Sequence, residues 1–190
     1  MSGNKKMGLM DEDGVKAIIE SYVVNGEQDS LEMLQNMDSG LLTAKQWKNA
    51  FKKFKYEDDE EINYRLTDAL FVVVDNSPEK AENLIPEELV SKFKEGVSEI
   101  IIEDISKCDG RMAAHCADRV LLKGEDWEVV FKNLHYKAGM RNHSYNNDLT
   151  AALAVATKGG KYKDMLHSMH ENLRDRFKAE LLKFSPGAHQ

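Results

Sequence analysis

"INYRLTDALFVVVD", residues 62–75, is the stretch on which the fold turns. Its FVVV run (71–74) is aromatic and β-branched, the composition of a strand. Yet Ile62, Leu66, Ala69, Leu70 and Val73 recur at helical spacing. Four β-prone residues inside that face are too short a run to overrule it, so the stretch reads as a helix. Asp75-Asn76-Ser77-Pro78 reads as its stop, with Ser77 as the N-cap of the next helix and Pro78 at its first position.

The same period extends in both directions. Upstream, Val15, Ile18, Ile19, Tyr22 and Val23 share one helix face, Leu31 and Leu34 mark a short helix, and Trp47, Phe51 and Phe54 mark another. Downstream, Pro86 opens a longer helix bearing Leu89, Phe93, Val97, Ile100 and Ile101, which "CDG" (108–110) breaks. The helix carrying Cys116 follows and is expected to end at Lys123-Gly124. Trp127, Val130, Phe131 and Leu134 define the next, closed by Gly139. "RNHSYNND" (141–148) reads as a polar loop whose Asp148 N-caps a helix bearing Leu149, Ala152, Leu153 and Ala156, stopped by Gly159-Gly160. The last and longest helix carries Tyr162, Met165, Leu166, Met169, Leu173, Phe177 and Leu181 on one stripe.

The expected fold is therefore all-α, an irregular multi-helix bundle of about nine to ten helices. No fixed-period repeat points to a solenoid. Charge switches sign between "KKFK" (52–55) and "KYEDDEE" (55–61). This places a boundary between a small N-terminal helical subdomain (1–56) and a main helical domain (57–185), with 186–190 a disordered tail. The acidic run equally suits the start of a solvated helix, where the helix dipole favours acids.

Bulk composition narrows the function. The 190 residues are 42% hydrophobic and 31% charged, enough apolar content to bury a core. The net charge of −7 opposes nucleic-acid binding, which needs a basic footprint, and docking on anionic membranes. Two cysteines form no disulfide framework, so a reducing, cytoplasmic setting is expected. No segment approaches the ~20 apolar residues of a membrane span, and the first residues lack a signal-peptide pattern.

Metal and cofactor sites are not expected. His167 and His170 stand at i, i+3 without further ligands and read as a solvated face. "DEDG" (11–14) would put Leu9 at the first position of a calcium loop, so it reads as a helix start. Cys108, His115 and Cys116 lack a fourth zinc ligand, and adjacent helical residues diverge.

"MAAHCADRVLLKG" (112–124) carries the sharpest chemical signal. Cysteine is among the most buried residue types, and one flanked by alanines often only fills space. Against that stand Asp118 and Arg119 close by, and a helix N-terminus near Gly110 that would favour a thiolate. "CADRVLL" (116–122), with Trp127 downstream, resembles the catalytic segment of the NEL-type ubiquitin ligases that some bacteria deliver into host cells. "NNDLTAALAVA" (146–156) is similar to that family's Asn-Asp-x-x-Ala-x-Leu segment, at Asn147, Asp148, Ala151 and Leu153. The likeness spans residues 86–175, without the leucine-rich repeats that usually read the substrate.

The resemblance implies a cysteine-dependent ubiquitin ligase. Cys116 would take ubiquitin from a ubiquitin-loaded E2 as a thioester. Asp118 would orient the acceptor lysine and accept its proton, with Arg119 holding Asp118 ionised or anchoring the loop. It also implies export without a cleaved signal into the host cytoplasm. Two other classes fit the residues. One is a non-enzymatic helical interaction module (adaptor, inhibitor or immunity-type protein) with Cys116 in its core. The other is a Cys-His-Asp hydrolase, in which His135 or His143 would have to approach Cys116.

Overall fold

The computed structural model describes residues 11–183 except 39, 78, 108–109, 112, 114, 117–121, 123 and 158–161. Among them there are ten α-helices and no strand, so the chain is all-α. It divides into two compact units, residues 1–93 and 94–190. The division falls inside a helix, whereas the charge switch at 55–61 lies within the first unit.

The first unit contains α1 (Glu12–Asn25), α2 (Gln28–Gln35), α3 (Ala44–Phe51), α4 (Glu60–Asn76), α5 (Ala81–Leu84) and the start of α6 (Glu87–Ser106). The FVVV run is helical, inside α4. Val72, Val73 and Val74 are all buried, which explains an apolar run longer than one helix stripe requires. Three of these starts have a local cause. Asp11 accepts from the N–H of Gly14 to open α1, Thr43 and Gln46 form a reciprocal capping box on α3, and Asp59 accepts from the N–H groups of Glu61 and Ile62 to open α4. The acidic run at 57–61 is thus a helix start.

α1 packs against α2, α3 and α4 around Val15, Ile19, Phe51, Leu66 and Leu70. Polar side chains close the helix ends. Arg65 donates from Nε to the carbonyl of Val23 (2.9 Å) and from Nη2 to that of Val24 (3.3 Å), placing a cation at the negative end of α1. Asn76 donates to the carbonyl of Gln35 at the end of α2 (3.0 Å). Ser77 does not N-cap the next helix; it is the C-cap of α4, its N–H donating to the carbonyl of Val74. Its Oγ accepts from the N–H of Glu79, two residues on, and α5 begins only at Ala81.

Two tyrosines of this unit titrate high. Burial pushes the Tyr56 phenol up to about 12, opposed by its hydrogen bond with Thr67. Burial, then the 2.6 Å hydrogen bond to Asp68, raises Tyr22 further. A raised folded pKa means that the native state keeps a proton the unfolded chain releases. This stabilisation is complete below about pH 10 and is lost as pH rises through about 12. After discounting for partial exposure, the Tyr56 share is on the order of 1 kcal/mol. In Tyr56→Phe, the fall in denaturation midpoint across that alkaline window should shrink relative to wild type. Parallel wild-type and mutant curves would refute the linkage.

The second unit holds the rest of α6, then α7 (Gly124–Lys132), a 3-10 turn (Met140–Asn142), α8 (His143–Ala156), α9 (Tyr162–Ser168) and α10 (Glu171–Lys183). α7 packs on α9, and α8 on α10. Lys94 pairs with Asp126 at 2.9 Å, joining the last part of α6 to α7. Gly110 is buried against α8. Four expectations from the sequence change here. Gly124 begins α7 and does not close the helix before it. α7 ends at Lys132, so the segment from Leu134 to Ala138 is irregular and Gly139 closes no helix. Asp148 sits within α8, accepting from Ser144 at 3.4 Å, and caps nothing; the "loop" at 141–148 is the 3-10 turn and the first part of α8. The final stripe is split between α9 and α10. His170 opens α10, its Nδ1 accepting from the N–H of Leu173 (3.2 Å) and its carbonyl from the N–H of Arg174 (3.0 Å). Met165, Met169, Leu173 and Phe177 remain buried across the break, which is why their spacing suggested one helix.

Candidate functional site

Cys116 is helical and 0% exposed. Its neighbour His115 is exposed, as adjacent positions on a helix require. Asp118, Arg119 and Cys108 lie outside the described residues. Ala113 and Leu122 on either side of Cys116 are also buried. The described part of the segment therefore presents an apolar inward face. Of the residues on which the sequence resemblance rested, Asn147, Ala151 and Leu153 lie on α8 with Asp148. Trp127 lies on α7, buried and stacked on Phe131 with ring centroids 5.8 Å apart.

A concavity of the second unit lies elsewhere. It is a groove of about 860 Å³ along the segment 135–140, walled by the starts of α8 and α10, and Cys116 does not line it. A buried side chain holds the backbone of that segment. Asn146, on α8, accepts from the N–H of Lys137 (2.9 Å) and donates to the carbonyl of Lys137 (2.8 Å), holding irregular backbone as a neighbouring strand would. Asn142 donates to the carbonyl of Ala138 (2.6 Å). Tyr136 shares a 3.0 Å hydrogen bond with Thr150, and burial raises its phenol pKa. Gly139 has φ +92°, a conformation that suits glycine, and turns the chain so that Met140 is 96% exposed.

His170 closes the groove from the α10 side. Its Nδ1 is an acceptor, so Nε2 carries the hydrogen and donates to the carbonyl of Leu134 (3.1 Å). Both ring nitrogens are thereby engaged, and the His135 ring lies 4.9 Å away. His170 is a structural cap, where the sequence suggested a solvated face. His135 and His143 are exposed on this groove, where they do not form a site with Cys116. No group of three metal-ligating side chains occurs among the described residues.

The groove's electrostatics differ from those of the rest of the chain. Its lining contains Lys137, Arg176 and three histidines, and no acid among the described residues. The Lys137 ammonium lies 4.0 Å from the Tyr145 ring centroid. Arg176 pairs through Nε with Glu180 at 2.9 Å. Glu180 is buried, and its hydrogen bond from Lys183 holds the carboxyl below the usual range, with Arg176 reinforcing the effect against burial. The sequence reading missed this groove because its residues span 135–176 and share no motif.

No protein-family model, curated protein or solved structure matches the chain. No helix among the described residues is long and apolar enough to cross a membrane.

Proposed function

We propose that this chain is a non-enzymatic helical protein-binding module. The observation that carries it is the complete burial of Cys116. A ubiquitin-accepting cysteine must bring its sulfur to the thioester carbonyl of another protein, and a hydrolytic one must meet its substrate. A side chain with no exposed surface does neither without opening the helices around it. As a packed thiol, Cys116 behaves as a small apolar residue. The open groove on the same unit is a surface that a partner reaches without such a change.

Thiol reactivity tests this directly. In a Cys108→Ala chain, Cys116 is the sole cysteine. Maleimide labelling at neutral pH should be slower in the native protein than in denaturant by ~10³-fold or more, because labelling waits on opening of a stable unit. The same chain mixed with ubiquitin, its activating and conjugating enzymes and ATP should form no reducible adduct. Fast native labelling together with an adduct lost in Cys116→Ala would replace this reading with the ligase suggested by "CADRV". Asp118 and Arg119 would then be the residues to test in discharge to lysine.

A further inference from the structure

We propose that the groove along 135–140 binds an acidic segment of a partner protein, one that carries carboxylates and an apolar side chain. The proposal deepens the binding-module reading and rests on it. Its basis is the groove's lining, which carries two cations and no acid among the described residues. Lys137 lies over the Tyr145 ring, while Arg176 pairs through Nε with Glu180, just as Arg65 pairs with Glu61 elsewhere in the chain. The imidazoles of His135 and His143 add hydrogen-bonding capacity on the same lining. Within a chain of net charge −7, an acid-free concavity with these donors is a local attraction for carboxylates.

Two further features favour a peptide over a small anion. The groove, at about 860 Å³, is far larger than a single oxyanion needs. Met140, almost fully exposed at one end, supplies an adaptable apolar contact of the kind common on peptide-binding surfaces. Carboxylates toward Lys137 and Arg176, and an apolar residue against Met140, describe one extended segment. Nucleic acid is disfavoured by the chain's overall acidity, and a metal by the engaged His170 ring.

The test is fluorescence anisotropy with an end-capped, fluorescein-labelled peptide of sequence Glu-Leu-Glu-Asp-Glu-Leu-Glu-Asp, beside its Gln/Asn counterpart, using the full chain. The acidic peptide should bind saturably, and the neutral counterpart should bind ~10-fold or more weakly. Lys137→Glu and Arg176→Gln should each weaken binding ~3- to 10-fold, with circular dichroism unchanged. Lys45→Glu makes the same net-charge change as Lys137→Glu at an exposed site of the first unit, and should alter binding less than ~2-fold. Equal loss in Lys45→Glu and Lys137→Glu, or no binding by wild type, would overturn the proposal. So would displacement of the peptide by inorganic phosphate at equal concentration, which would mark a phosphate site. The two readings fail separately. Absence of peptide binding with Cys116 still protected sinks only the acidic-segment assignment; a Cys116-dependent ubiquitin adduct sinks the non-enzymatic reading whatever the peptide does.

Discussion

Gly110→Ala is expected to destabilise the second unit by about 3 kcal/mol or more, and to abolish its cooperative unfolding if the unit has less than that to lose. A Cβ at this position would stand 1.9 Å from the carbonyl oxygen of Ala152, 2.8 Å from its carbonyl carbon and 2.9 Å from the nitrogen of Ala156. All three atoms are backbone of α8. A side chain could rotate away, but a helix backbone must translate, and that would open the packing of α8 on α10. Gly124→Ala is the matched control, since a Cβ there meets nothing within 4 Å. It should be neutral or slightly stabilising, as alanine is the better helix former. Urea midpoints of the two variants decide the matter. Similar midpoints would mean that α8 does not approach Gly110 so closely.

Trp127→Ala should cost about 3–5 kcal/mol, the range for removing a large buried aromatic side chain. Trp127 is 2% exposed, stacks on Phe131, and belongs to the helix that packs on α9. Deletion leaves a cavity between elements that have no other ring of that size, since the chain's second tryptophan, Trp47, is buried in the first unit. Trp127→Phe keeps most of the apolar volume and should lose less than half as much. Trp47 remains as a fluorescent reporter in both variants. A shift in circular dichroism that Trp47 fluorescence does not follow would place the loss in the second unit. A loss below about 1 kcal/mol would refute the core assignment. In the ligase resemblance this tryptophan marks a helix near the catalytic cysteine; its burial gives it a packing role that needs no catalysis.

Much of the architecture was legible in the sequence because its signals are local. Asp11, Thr43 and Asp59 cap the helices they precede, through bonds spanning two or three residues. The Ile62–Val73 pattern overrode the β preference of FVVV, because one apolar face buried along a whole helix outweighs four local propensities. Cys116 as a core residue was also readable from its alanine-rich setting, beside the competing motif.

The sequence by itself determined an all-helical chain and most of its buried faces, since both follow from periodicity over a few turns. Only the tertiary structure decided where some helices begin and what lies open. "RNHSYNND" is polar enough for a loop, yet its Asn146 is buried within α8 and bonds both backbone groups of Lys137, nine residues earlier. His170 lies on an unbroken apolar period, yet its ring and carbonyl start a new helix while Nε2 reaches Leu134, thirty-six residues away. These bonds form only once distant segments meet. The groove they build has no counterpart in any window of the sequence, because hydrogen bonds to remote backbone carry no period.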